Sequence, residues 1–309
     1  VSKMQCFYMM VGLPGSGKSW YAENKLPDAV IHSSDTIREE LLSDISDQNH
    51  QELVFQTLHD RVLSDLRAGK DVVYDATNVS YKRRMGFLHR VTAVNPQIKK
   101  VCVFMATPYI LCVERNANRE RSVPENVIDR MYRGFDIPME AEGWDEIWVE
   151  GVEPFIGGIS LLLSRLAALE HDNPHHEFTV GQHMLTAYEY FDKQYPQWVN
   201  DISLGRAVAI HDIGKEYTKV FCNAKGEPTD IAHFYQHERV GAYESFAHTT
   251  DLTLHERLKV ALLIRWHMAP FAVEKSDNPN KTERKFKGLL GEDIWNQVMV
   301  LNDCDRHAH

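Results

Sequence analysis

The sequence predicts an α/β domain with a parallel sheet covered by helices on both faces, followed by an all-α domain. Three observations predict it. Through residues 4–150, short apolar runs alternate with helical patterns, as βαβ units require. Residues 151–158 then punctuate the chain with Gly151, Pro154, Gly157 and Gly158. Beyond them strand-like runs nearly vanish, and apolar residues recur at helical spacing. The expected domains are residues 1–152 and 153–309.

In chain order, the strand-like runs are 4–11, 29–34, 71–75, 99–106 and 147–149. Helical patterns lie near 17–24, 36–42, 48–68, 80–94 and 108–117, with Gly69 placed to stop the third of them. In the second half, helical spacing marks 159–169, 180–193, 204–213, 236–247, 254–267 and 293–304. At 309 residues with 43% hydrophobic and 25% charged content, the chain can bury two separate cores. No apolar run reaches the length of a membrane span and the N-terminus lacks a signal-peptide layout. Five scattered cysteines without metal-like spacing read as reduced thiols, so a cytoplasmic protein with no membrane partner is expected. A net charge of −10 argues against non-specific nucleic-acid binding over the whole surface, while leaving room for a strand end in a locally basic cleft. Sixteen histidines, most of them after residue 170, are the one compositional oddity.

The first chemical signal is Gly12-Leu13-Pro14-Gly15-Ser16-Gly17-Lys18-Ser19, which directly follows the apolar run Phe7–Val11. This is a complete G-x-x-x-x-G-K-[ST] pattern in its required strand-to-helix context. Gly12, Gly15 and Gly17 let backbone amides of the loop, Ser16 included, turn inward as an anion cradle. The helix start adds partial positive charge. Lys18 would reach the β- and γ-phosphates and the Ser19 hydroxyl would bind Mg²⁺, so ATP or another nucleoside triphosphate is the expected cofactor.

Asp35 and Arg38 follow the second strand, at the carboxyl edge where open α/β sheets bind ligands. There Asp35 can accept a proton from an attacking hydroxyl and Arg38 can hold an acceptor phosphate; Asp35 also suits a helix cap. Asp75 ends a buried strand, where it can order Mg²⁺-bound water or fix Arg38, and Thr77 and Asn78 line the same edge. Arg115, Arg119 and Arg121 cluster before Pro124, which suggests a hinged lid whose guanidiniums share a helix face and reach the transferred phosphoryl group. Glu142-Gly143-Trp144-Asp145-Glu146 reads as structural, with an aromatic able to stack a base. Arg38, Lys82, Arg83 and Arg84 would form a basic groove if the acceptor is nucleic acid.

This combination resembles the P-loop kinase group over residues 4–150, and within it the 5′-hydroxyl polynucleotide kinases of phage and bacterial RNA repair. The resemblance implies that Lys18 and Ser19 bind ATP·Mg²⁺, Asp35 is the general base, Arg38 holds the acceptor phosphate and the lid arginines clamp the donor. Gluconate-type kinases, antibiotic phosphotransferases and toxin kinases share much of the layout.

In the second half, His211-Asp212 follows a buried apolar helix and runs into Gly214-Lys215. Two other His-Asp pairs, His59-Asp60 and His171-Asp172, fall on a polar helix face and in a turn-rich stretch. Further candidate ligands are His183, His237, His267 and Asp305, with Asp303 an alternative to the last. Buried imidazoles need partners or a metal, and bundles build metal sites from inward-facing His and carboxylates. Mixed His and Asp ligands suit one or two divalent transition metals. The arrangement resembles the HD-superfamily metal-dependent phosphohydrolases over residues 170–309. Their His…His-Asp…Asp pattern maps onto His183, His211, Asp212 and Asp305, with His237 and His267 matching the extra histidines that hold a second metal. Lys215 matches a residue that contacts the scissile phosphate. Members of that family usually continue past this point, which leaves open whether the chain is truncated at its C-terminus.

Together the halves resemble bifunctional end-healing enzymes. Such an enzyme phosphorylates 5′-OH polynucleotide ends of RNA or DNA, RNA being the favoured partner, and removes 2′,3′-cyclic or 2′/3′ phosphates before a separate ligase seals the break. The alternatives are a small-metabolite kinase fused to an HD nucleotide phosphohydrolase, and a regulatory ATP-sensing module.

Overall fold

A computed structural model describes residues 4–42, 50–119, 121–174 and 177–308. It divides into two compact units. Unit 1 comprises Val1–Tyr132 and Pro138–Val152, and unit 2 comprises Arg133–Ile137 and Glu153–His309. The short segment 133–137, which the sequence reading assigns to the first domain, packs with the second unit.

Unit 1 runs β1 (Cys6–Val11), α1 (Lys18–Lys25), β2 (Val30–Ser33), α2 (Ser34–Leu41), α3 (Gln51–Arg67), β3 (Val72–Asp75), α4 (Tyr81–Val94), β4 (Lys99–Met105), α5 (Tyr109–Ala117), α6 (Glu125–Arg133) and β5 (Glu146–Glu150). The sequence start of the third helical stretch, residues 48 and 49, lies outside the described residues, as does Glu120 in the arginine-rich segment. All five strands are parallel, in the order β2-β3-β1-β4-β5. The central strands carry unbroken apolar runs because a covered parallel sheet has no wet face. Met10, Val73, Val101, Val103 and Met105 pack with Ala22 of α1 into one core cluster. α6 was not foreseen, since Pro124 reads as a breaker. Here it opens the helix instead, its carbonyl accepting from the Val127 and Ile128 amides, while its missing N–H costs nothing at a helix start.

Unit 2 contains α7 (Gly158–Leu166), α8 (Val180–Gln194), α9 (Ile202–Ile210), α10 (Lys215–Thr218), β6 (Lys219–Cys222), β7 (Pro228–Phe234), α11 (His237–Glu244), α12 (Leu254–Trp266), α13 (Ala269–Glu274), α14 (Pro279–Leu290) and α15 (Glu292–Arg306). It is therefore helical but not all-α: β6 and β7 form an antiparallel hairpin. The Asn223 side chain builds the turn, accepting from the Lys225 and Glu227 amides. α14 was also missed, because its charged residues hide the apolar stripe; Asn278 caps it through the Lys281 amide, with Pro279 at the first position. No helix among the described residues is long and apolar enough to cross a membrane.

Candidate functional site

In unit 1 the loop between β1 and α1 is shaped by contacts that leave no room for side chains. A Cβ on Gly15, which sits at φ +80°, would lie 2.2 Å from the Cys112 carbonyl oxygen. The Gly12 amide donates to Thr77 O at 3.0 Å, and Asn78 Nδ2 donates to Met10 O at 2.8 Å, so the end of β3 braces the end of β1. Thr107 donates to Ser16 O from the end of β4. Lys18 is buried and donates to Leu13 O at 2.8 Å. Burial lowers its pKa, opposed by Asp75, Cys112 and Asp35. The Ser19 hydroxyl donates to Asp75 Oδ2 at 2.7 Å. Burial raises the Asp75 pKa, and Lys18 and Ser19 counter it. Paired hydroxyl and carboxylate oxygens beside a phosphate cradle are a donor set that fits Mg²⁺.

Ser33 caps α2 by accepting from the Asp35 amide, which leaves the Asp35 carboxylate free of capping duty and half-exposed. Arg38 Nη1 donates to Asp35 Oδ1 at 3.2 Å, while its buried Nε has no hydrogen-bond partner. The lid arginines do not share one helix face. α5 ends at Ala117, so Arg115 is helical whereas Arg119 and Arg121 lie on the following segment. Asn116 causes the break: its side chain both donates to and accepts from the Val123 backbone and folds the chain back. Arg119 nonetheless lies near enough to act on the charges of Lys18 and Asp75.

Two expectations for this unit fail. Arg84 does not line a basic groove; it is buried against Glu142 through two hydrogen bonds of 2.7 and 2.6 Å, and also donates to Asn78 O. Trp144 is buried and donates to Glu142 Oε2, so it offers no stacking face.

In unit 2 the six histidine and aspartate candidates converge. His183, His211, Asp212 and Asp305 form one group and Asp212, His237 and His267 a second; the ligand atoms of each group lie within 4.8 Å of one another. Asp212 belongs to both. Its Oδ2 lies 3.4 Å from the Nε2 atoms of His183 and His211, and its Oδ1 lies 3.3 and 3.8 Å from those of His237 and His267.

The histidines come from helix ends rather than helix interiors. His211 and His267 follow the last residues of α9 and α12, and His237 opens α11. Helix C-termini leave carbonyls without intrahelical partners. His211 Nδ1–H donates to Val208 O and His267 Nδ1–H to Ile264 O, each three residues back; His237 Nδ1–H does the same with Phe234 O. His183, on α8, donates to Ala308 O. With every Nδ1 proton fixed on a carbonyl, all four Nε2 atoms face inward, the ring position that metal ligation uses. Burial disfavours charge on His211, but Asp212 and Asp305 outweigh it and raise its pKa to about 10. Burial is likewise overcome at Asp212, where Lys215 and His211 hold the carboxyl well below its usual range. Asp212 Oδ2 is buried with no hydrogen bond of good geometry. This donor set fits divalent metal.

Asp305 Oδ1 lies 2.9 Å from His183 Nε2, whereas Asp303 accepts from Tyr195 and does not join the cluster. Lys215 Nζ sits 2.7 Å from Asp212 Oδ2. One participant was missed. His171, set aside as part of a turn, is buried; its Nδ1–H donates to Phe178 O, and its Nε2 accepts from Lys215 at 3.1 Å. Its polar, turn-rich surroundings carry no apolar periodicity that would have signalled burial.

Residues 7–138 match the AAA domain family. The N-terminal unit is an AAA-type P-loop domain with a kinase among its relatives. An L-seryl-tRNA(Sec) kinase of Methanococcus maripaludis is 26% identical over 144 residues, covering 44% of this chain and 55% of that protein. The chain thus spans about half the length of the curated relative it matches. Among solved structures, similarity extends to a chain of the Pnkp1/Rnl/Hen1 RNA repair complex, at TM-score 0.35 and 19% identity, over 42% of this chain and 44% of that one. It extends also to a putative kinase from Chloroflexus aurantiacus, at TM-score 0.40 and 15% identity, over 48% and 86%.

Proposed function

We propose that the chain is a bifunctional end-healing enzyme: the AAA-type domain phosphorylates 5′-OH polynucleotide ends from ATP, and the helical unit removes 2′,3′-cyclic or 2′/3′ phosphate. The observation that carries this reading is the presence on one chain of a phosphate cradle and a six-residue His/Asp cluster. One suits phosphoryl donation and the other phosphate hydrolysis.

In the kinase half, the loop amides and Lys18 would hold the donor phosphates, and Ser19 with Asp75 would hold Mg²⁺, whose charge would offset that of the transferred group. Asp35 takes the proton of the attacking hydroxyl. Arg38 binds the acceptor phosphate, and Arg115, Arg119 and Arg121 gather on the donor. In the hydrolase half, His183, His211, Asp212 and Asp305 would hold one metal, and Asp212, His237 and His267 a second. A metal held there would supply the Lewis acidity that makes water a nucleophile near neutral pH. Lys215 contacts the scissile phosphate.

The test offers labelled ATP and a 5′-OH oligoribonucleotide with a 2′,3′-cyclic end. Lys18→Ala abolishes only 5′ labelling, and Asp212→Ala abolishes only loss of the 3′-end phosphate. Wild type that labels gluconate-like metabolites and ignores the oligonucleotide sinks the reading. The 26% identical relative favours a second reading of the acceptor, a seryl-tRNA hydroxyl; a seryl-tRNA arm in the same assay separates the two.

A further inference from the structure

The two metal subsites are supported differently. His183, His211 and Asp305 come from α8, the end of α9 and α15, whereas His237 and His267 come from α11 and the end of α12. Behind that second pair lies Asp136, in the five-residue segment 133–137 that joins unit 2. Its buried carboxylate oxygen Oδ1 accepts from Arg239 Nη1, and from Arg265 Nε and Nη2 at 3.3 and 3.1 Å. Arg239 stands two residues after His237 and Arg265 two residues before His267. Two residues turn a helix by about 200°, so each arginine leaves its helix on the side away from the neighbouring histidine. Arg239 Nη1 also donates to Gly134 O, and Phe135 packs edge-on against Tyr243 of α11 at 5.0 Å.

We propose that Asp136 is the positioning residue of the second metal subsite: it clamps the backs of α11 and α12 and so fixes the separation of His237 and His267. The inference rests on the two-subsite metal reading above. The two imidazoles meet at 3.3 Å between Nε2 atoms, a spacing set only by where their helices sit, since each Nδ1 is bound to its own segment. Without the carboxylate, the two guanidiniums lose the charge between them, leaving Glu238, 4.0 Å from Arg265 Nη1 on the α11 side, as a weaker counter-charge, and push the helices apart. The first subsite draws no ligand but Asp212 from this region, so the effect is selective.

The test uses the full chain, stripped of metal with a chelator and titrated with Zn²⁺ against a competing indicator. Wild type takes up two ions. Asp136→Asn lowers the affinity of the second ion roughly 10–100-fold, the usual effect of losing an outer-shell partner, and leaves the first within about twofold. Leu162→Ala, which opens a cavity under α7, an element that supplies no clamp residue, lowers the unfolding temperature without separating the two affinities. The proposal is overturned if Asp136→Asn binds both ions as wild type does, if both weaken together, or if Leu162→Ala reproduces the selective loss. Wild type that binds fewer than two ions overturns the two-subsite reading itself, and this inference with it; that failure shows in the wild-type titration alone.

Discussion

Gly214 offers the sharpest test of how the His/Asp cluster is brought together. It follows Asp212 by two residues and lies against the start of α11. A Cβ there would stand 2.0 Å from the His237 carbonyl oxygen and 2.6 Å from the Gly241 amide nitrogen. Its φ of −63° is ordinary for any residue, so the requirement is space and not backbone freedom. To bring the 2.0 Å contact out to an ordinary 3.4 Å, α11 and the Asp212 turn must part by about 1.4 Å. Both contacting atoms belong to backbone, so no side-chain rotation relieves them. Gly214→Ala should cost about 3 kcal/mol, the upper part of the range for overpacking. The control is Gly205 in α9, whose added Cβ meets only ring carbons of Phe191 and Tyr188 at 3.7 and 3.8 Å. There the same substitution removes backbone entropy from the unfolded chain and should stabilise by about 0.5–1 kcal/mol. The assay is urea unfolding in excess chelator, which keeps metal binding out of the measurement. If Gly214→Ala unfolds at the wild-type midpoint, or Gly205→Ala loses as much as Gly214→Ala, the close-approach argument is wrong.

Two further outcomes are expected. His248 is buried and its pKa is lowered to about 4 by burial, with Arg165 and Arg206 adding to the effect; the unfolded chain therefore takes the proton first, and stability is lost as pH falls from about 6.5 toward 4. Down to pH 5 this amounts to about 2 kcal/mol, and His248→Phe, which keeps the packing on Phe155, should flatten that much of the acid limb in pH-dependent urea unfolding. On the hydrolase reading, His171→Asn should lower kcat roughly tenfold with little change in KM, because it alters the partner of Lys215 Nζ while replacing none of the candidate metal ligands; a change confined to KM or to unfolding temperature would remove His171 from the site.

What could be read from the chain was the chemistry that is local in sequence. The phosphate cradle is a fixed pattern of eight residues, so its glycines, Lys18 and Ser19 were legible without any tertiary information. The six His/Asp candidate ligands were legible as residue types in apolar surroundings, though their positions at helix ends were not. That placement also has a local signature, since Val208, Ile264 and Phe234 each precede a ligand histidine by three residues and supply the carbonyl that fixes its Nδ1 proton. Illegible features depend on partners far along the chain. Arg84 looked like part of a basic groove because its neighbours Lys82 and Arg83 are charged, and only Glu142, 58 residues on, makes it a core residue. His171 looked like a turn residue because Lys215, 44 residues on, is what draws it inside. A buried charge costs several kcal/mol unless paired, so a sequence reading defaults every unexplained Arg or Lys to solvent. The same default hid Asp136, whose partners Arg239 and Arg265 lie more than a hundred residues away. In this chain the residues most easily misread are therefore the buried paired ones, whereas the candidate ligands announce their chemistry by type.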